Sequence, residues 1–458
     1  MNSSEKLLEK VIGTPADILD KTLDASKQIS ETLTLKKHIG SAKNYWKSLG
    51  PGLTTGAADD DPSGITTYSQ AGAQYGFNLL WLSTFTFPLM AIVQEMCARI
   101  GLVTGRGLAG SIRQYYPRWV LLSATFLLFF ANSFNIGADL GAMAKATQLL
   151  APHLSFTSLI LGFTILSLAL QIFTSYEKYA KYLKWLALVL VTYILSALTM
   201  NLDWNEVLQK AFIPTLSLTY NQIFLVTAIL GTTISPYLFF WQTSQEVEEQ
   251  ILQGRTTLKL RQEETTTDEV KNMRTDVWSG MFLSNLVMFF IIAACAGVLY
   301  TNGITNITSA QQAAAALKPL AGDQAYLLFA LGIIGTGMLA VPILAGSASY
   351  ALSECFGWKL GLYRKLKEAN AFYGVIIIST GIGLIINFLG FDPIKVLIYS
   401  AVLNGLIAPV ILVLIVTMSS NIRIMGKWVN SKVVTTVGWL ITIIMVLTGV
   451  ATILSFLH

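Results

Sequence analysis

Hydrophobic positions in this chain fall in long continuous runs, without the apolar–polar alternation of a membrane β-barrel. Eleven runs lie near 51–75, 77–101, 118–142, 155–174, 180–200, 220–245, 277–301, 325–350, 372–391, 394–418 and 434–457. Each is close to or above the roughly 20 residues a helix needs to cross about 30 Å of hydrocarbon. Two longer stretches are polar, Met1–Lys47 and Glu246–Asp276. The pattern predicts an all-α polytopic membrane protein, with a cytoplasmic tail, 1–47, and a transmembrane domain, 48–458. In the tail, Leu7, Leu8, Val11 and Ile12 have loosely helical spacing, which suits an extension in water or on anionic lipid. The stretch Glu246–Asp276 reads as a solvated, charged continuation of the sixth helix.

Composition removes the alternatives. Of 458 residues, 53% are hydrophobic and 12% charged, about half the roughly 25% of a soluble protein. A soluble globule of this length cannot bury so much apolar surface, and disorder needs the reverse composition. The net charge of +5 is modest and follows topology, so nucleic acid is not an expected partner. With the spans laid out alternately and the amino terminus inside, all but four of the 31 Lys and Arg residues fall on the inner side. The exceptions are Lys145, Lys210, Lys318 and Lys395. Basic residues are retained in the cytoplasm, so a multi-pass cell-membrane protein with a cytoplasmic amino terminus and an extracytoplasmic carboxyl terminus is expected. The polar opening argues against a cleavable signal peptide. Cys97, Cys295 and Cys355 are too scattered to form a disulfide framework or a thiolate metal site.

Two runs contain residues that a lipid-facing helix does not tolerate. The first reads Ala57-Ala58-Asp59-Asp60-Asp61-Pro62-Ser63-Gly64, with three carboxylates followed by a proline and a glycine. One charge at the bilayer centre costs about 2.5–3.5 kcal/mol on insertion scales, so three demand a polar cavity and a counter-ion. The sixth reads Gly231-Thr232-Thr233-Ile234-Ser235-Pro236-Tyr237. These are the first and sixth of eleven runs, equivalent positions in two five-helix halves. That is the signature of an inverted repeat, with one half over about 51–200, the second over about 220–418 and an extra helix at 434–457. Unwound carbonyls beside carboxylates make an oxygen-rich site for a hard cation.

The residues Gly50-Pro51-Gly52, Asp61-Pro62-Ser63-Gly64, Gly72-Ala73-Gln74-Tyr75-Gly76, Ala98 to Gly105, Ala138-Asp139-Leu140 and Gly231 to Thr243 together resemble the NRAMP divalent-metal transporters. The resemblance implies a LeuT-type fold with broken helices 1 and 6, and divalent-cation transport by alternating access. It makes Asp61 the metal carboxylate, with Ala58 and Thr232 as carbonyl ligands and Ser235 as the fourth metal-site residue. The family's Asp-Pro-Gly-Asn becomes Asp61-Pro62-Ser63-Gly64, losing an amide ligand; its Met-Pro-His becomes Ser235-Pro236-Tyr237, losing a thioether. A family glutamine in the tenth helix is replaced by Ala401, with Asn404 one turn away. Asp60, Gly64, Tyr237 and Asn404 would surround the ion.

These departures resemble the NRAMP-related magnesium transporters. They imply a wider, oxygen-only site suited to Mg²⁺, which keeps several waters when bound, with Mn²⁺ also carried. The family's proton-path histidines are replaced by Tyr237 and Gln242, and its second acid on the third helix by Ala142, so transport without proton coupling is expected. The rival is an ordinary proton-coupled Mn²⁺/Fe²⁺ transporter. Asp139, Glu95 and Gln242 are further ion- or proton-path candidates, although Glu95 has the spacing for an ion pair with Arg99. Asn132 and Asn135 read as interhelical hydrogen-bonding residues. An intramembrane hydrolase lacks support, since no second acid pair, histidine pair or nucleophile motif accompanies the carboxylates. A sodium-coupled symporter for an organic solute fits three acids less well than a divalent cation does. The expected protein is therefore not an enzyme; it is a monomer in the bilayer, with no cofactor beyond the ion it carries.

Overall fold

The structure, a computed structural model, describes residues 50–174, 191–200, 202–217, 219–263, 265–308, 310–315, 322 and 325–455. The tail 1–47 and the first half of the fifth run lie outside these residues. The described chain is helical, with no strand among the described residues. In order, its helices are α1 Pro51–Asp59, α2 Pro62–Tyr75, α3 Trp81–Thr104, α4 Leu108–Tyr115, α5 Arg118–Leu150 and α6 Phe156–Phe173. There follow α7 Val191–Leu198, α8 Trp204–Phe212, α9 Tyr220–Thr233, α10 Pro236–Leu252, α11 Leu258–Glu263 and α12 Thr267–Cys295. The last are α13 Ala310–Ala315, α14 Ala325–Phe356, α15 Asn370–Ile386, α16 Pro393–Ser419, α17 Ile422–Met425 and α18 Lys432–Ser455.

Among the described residues, eight segments are long and apolar enough to cross a membrane by length and composition. They are α3, α5, α6, α9 with α10, α12 with its π-helical end, α14, α16 and α18. The apolar α15 is shorter, at 17 residues. The first run does not count as one helix because it is cut into α1 and α2. The physical cause is Pro62, which lacks an N–H and stands at the first position of α2, with Asp61 as extended N-cap. Pro236 does the same for α10, with Ser235 extended before it.

The broken helices lie inside the bundle. α12 runs against α1, α2 and α3; α16 runs against α9 and α5; α14 pairs with α5 and α10. Glycines set the closest approaches. A Cβ on Gly56 would clash with the Gly280 carbonyl, and one on Gly231 with the Ala401 carbonyl, so α1 meets α12, and α9 meets α16, backbone to backbone. Asp276 on α12 accepts hydrogen bonds from the Gly52 and Leu53 amides at 2.6 and 3.2 Å, capping α1 from another helix. Asn132 donates to the Leu344 carbonyl (2.9 Å) and Ser347 Oγ (2.8 Å), as its interhelical reading anticipates. α6 and α18 are peripheral and mostly exposed, and Trp119 and Tyr300 are exposed near span ends.

The segment after the sixth run departs from expectation. α10 continues to Leu252 with Glu246 and Glu248 buried. Glu248 accepts from Tyr350 Oη (2.5 Å) and the Leu362 amide (2.9 Å). Asp276 is buried as the cap of α1. Charge composition suggested solvation, but α3 and α14 pack against α10, and the buried acids Glu246, Glu248 and Asp276 are held by specific donors.

Candidate metal site

At the first break the carboxylates of Asp59, Asp60 and Asp61 are all buried. Asp61 is the most firmly held. Its Oδ1 accepts from the Gly64 amide (2.6 Å) and Ser63 Oγ (2.7 Å), and its Oδ2 from Asn135 Nδ2 on α5 (3.0 Å). Asp59 Oδ2 accepts from Ser284 Oγ on α12 at 2.5 Å, while its Oδ1 has no partner among the described residues. Neither oxygen of Asp60 has one. A buried carboxylate without donors is costly, so this break holds acceptor capacity that the protein itself does not fill.

At the second break Ser235 Oγ donates to the carbonyls of Gly231 (2.6 Å) and Thr232 (2.7 Å). One hydroxyl proton serves two acceptors freed by the end of α9, so the serine caps its own helix backward. The two breaks abut. Tyr237 Oη, one residue into α10 beyond Pro236, donates to the Ala58 carbonyl at 2.8 Å. A Cβ on Gly64 would lie 3.0 Å from both the Asp59 carbonyl and Thr232 Oγ1. The loss of a side chain at position 64 therefore does not by itself leave open space here, because Thr232 and the Asp59 backbone lie against it.

The structure gathers Ala58, Asp59, Asp60, Asp61, Gly64, Thr232, Ser235 and Tyr237 at one crossing. Asp139 is buried on α5, with Asp61 as its charged neighbour and no hydrogen-bond partner for either oxygen among the described residues. Asn404 is buried on α16 with both side-chain polar atoms unpartnered. It sits one residue before Gly405, which packs against Thr227 and Gly231 of α9. Two path candidates are engaged elsewhere. Glu95 bonds Arg274 (2.8 Å) and Trp278 Nε1 (2.9 Å) and pairs with Arg99 at 3.6 Å, the i,i+4 ion pair its spacing anticipates. Gln242 donates to Glu246 Oε1 at 2.8 Å.

Sequence reading treated Asn135 only as a helix-packing residue. It is also the side-chain amide that orients Asp61. The available signal was its position four residues before Asp139, which puts both on one face of α5. Ser284, the partner of Asp59, carried no signal, since only the packing of α12 brings it there. Among the described residues, no three His, Cys, Asp or Glu side chains converge as a metal cluster. The donors at the crossing are carboxylate, hydroxyl, carbonyl and carboxamide groups.

Two interrupted helices crossing inside a helical bundle, each with an extended residue and a proline at its break, define a membrane transporter fold of the LeuT type. Its structural relatives include the manganese transporter of Eremococcus coleocola, with a TM-score of 0.71 at 18% identity, covering 90% of this chain and 87% of that one. The nucleobase-cation-symport-1 family transporter Mhp1 aligns with a TM-score of 0.52 at 13% identity over 89% of this chain and 91% of its own. The chain belongs to the natural resistance-associated macrophage protein-like (Nramp) family, whose pattern matches residues 52–455. A divalent metal cation transporter, MntH, of Klebsiella pneumoniae subsp. pneumoniae is 27% identical over 406 residues, covering 87% of this chain and 91% of its own length.

Proposed function

We propose that this protein transports divalent metal cations across a membrane, carrying Mg²⁺ and also Mn²⁺ by alternating access and without proton coupling. Family membership and the named function of its relatives support the divalent-metal part. The observation that carries the magnesium part is Ser235. Where the family has a thioether, this chain has a hydroxyl turned onto the carbonyls of Gly231 and Thr232. The donors around it are hard: Asp61, the carbonyls of Ala58 and Thr232, and Asp60 and Asn404, whose side-chain polar atoms are unpartnered. Hard oxygen donors favour Mg²⁺ and Mn²⁺ over softer ions.

In this reading Asp61 supplies the charge, and Asn135 and the Gly64 amide fix its direction. For the ion to use the Ala58 carbonyl fully, Tyr237 must share or release it. Closure of α1–α2 against α9–α10 would occlude the ion, and opening on the other side would release it. An inside-negative membrane potential would draw Mg²⁺ inward.

A second reading keeps proton coupling, with Mn²⁺ or Fe²⁺ as cargo, because Asp139 is buried beside Asp61 with no hydrogen-bond partner among the described residues. Tyr237 and Gln242 do not titrate near neutral pH, and His153 is exposed, so no imidazole stands at the crossing among the described residues. The deciding experiment is uptake into proteoliposomes reported by a Mg²⁺-sensitive dye. Saturable Mg²⁺ uptake, competed by Mn²⁺, is expected; Mn²⁺ uptake with no Mg²⁺ uptake would replace this reading with the second.

A further inference from the structure

A cavity of about 670 Å³ lies away from the helix breaks, between the α3–α4 turn, the end of α10, α11 and the loop after α14. Arg106, Arg113, Arg261, Lys359 and Arg364 line it. Among the described residues its one acidic lining residue, Glu354, is already used by the amides of Gly107 (2.7 Å) and Gly110 (2.8 Å). Among the described residues, none of the five cations is in an ion pair.

Several of these charges are held in place. Arg113 Nη1 donates to the Glu354 carbonyl at 3.1 Å and lies over Gly357. Position 357 has φ +74°, and a Cβ there would come within 2.5 Å of that nitrogen, so glycine makes the seat. Arg261 is fixed by the carbonyls of Gly105 (3.0 Å), Arg255 (3.1 Å) and Thr256 (3.1 Å). Arg364 lies 4.9 Å from the Tyr363 ring centroid. Like charges gathered around one concave space repel each other and focus a positive potential into it. Such a potential disfavours a divalent cation and favours an anion.

We propose that this cavity binds a multiply phosphorylated anion, supplied either by a soluble polyphosphate or nucleotide or by an anionic lipid headgroup. Its volume is that of a small-ligand site. Arginine forks and lysine match phosphate oxygens. The position has a mechanical consequence, which rests on the transport reading. Val247 and Ile251 of α10 line the cavity, and α10 is the half-helix that begins at the second break. An anion bridging α4, α10 and the loop after α14 adds to the Glu248–Tyr350 tie and holds α10 against α14.

The test uses the full chain in neutral-lipid nanodiscs, metal-free in EDTA, with tripolyphosphate as probe. Saturable binding is expected, weakening steeply with salt. Lys359→Gln should reduce affinity several-fold, and the combined Arg106→Gln, Arg113→Gln, Lys359→Gln variant by roughly tenfold or more. Bound tripolyphosphate should slow amide hydrogen exchange in α10 and residues 357–364. Competition by cardiolipin, whose headgroup carries two phosphates, in the disc, lost in the variants, supports the proposal with a lipid source; undiminished binding in such discs supports it with a soluble source. No binding in neutral discs, or binding that Lys359→Gln and the combined variant leave unchanged, overturns it. No transported metal is present, so failure here is distinct from failure of the transport reading.

Discussion

The hydroxyl of Tyr237 donates to the carbonyl of Ala58 at 2.8 Å and so joins the two broken helices across their breaks. The acceptor is one of the two carbonyls proposed to hold the ion. The donor stands where the family's histidine would be.

Removing that hydroxyl frees the carbonyl at the cost of one neutral hydrogen bond, a net ~0.5–1.5 kcal/mol. Tyr237→Phe is expected to bind Mg²⁺ or Mn²⁺ about twofold to tenfold more tightly, while staying monodisperse. Calorimetric titration of the purified variant checks this; weaker binding would show that the hydroxyl supports the site rather than competing for it.

Asp61 both caps α2 and supplies charge, so the two roles must be separated. Asn can still accept from the Gly64 amide, which preserves the N-cap. Asp61→Asn should therefore fold normally and lose nearly all transport. Asp59→Asn should be milder, because Asp59 already has Ser284 as a donor partner. Comparable losses in both variants, measured as initial uptake rates, would mean that the cluster acts as a unit.

Ser235→Met introduces the soft donor and removes the hydroxyl cap on Gly231 and Thr232. Cd²⁺ should then bind about tenfold or more tightly than to the wild-type protein, which should bind it weakly. Gly64→Asn should impair transport on its own, since its Cβ meets Thr232 Oγ1 and the Asp59 carbonyl at 3.0 Å. Cd²⁺ titrations with and without competing Mg²⁺ measure both effects.

Proton coupling is read with a pH-sensitive dye enclosed in proteoliposomes. No metal-dependent acidification beyond leak is expected during Mg²⁺ or Mn²⁺ entry. If acidification occurs and Asp139→Asn abolishes it, coupling through Asp139 replaces the uncoupled reading.

The α1–α12 crossing makes a stability prediction. Gly56→Ala would drive a methyl into the Gly280 carbonyl, an overpacking cost of about 1–3 kcal/mol. Its thermal unfolding in detergent should fall clearly below wild type. Gly374→Ala inside α15, with no described atom within 4 Å of the new Cβ, should not lower it, since alanine is the better helix former.

The sequence by itself determined the helical membrane class, the positions of both breaks and the residues at them. These follow from local physics: run length against bilayer thickness, proline's missing donor and the cost of charge in hydrocarbon. Glu95 was also legible, because an i,i+4 pair is a property of one helix. Only the tertiary structure decided which side chains meet. Asn135 reaches Asp61 and Ser284 reaches Asp59 across 74 and 225 residues, and no local pattern encodes such distances. Composition made Glu246 and Asp276 look solvated, yet burial depends on which neighbouring helices cover them. Residue size at position 64 suggested a wide site, but a side chain's absence leaves room only if nothing else moves in. There Thr232 and the Asp59 backbone lie against that position, because the helices pack as near as their glycines allow.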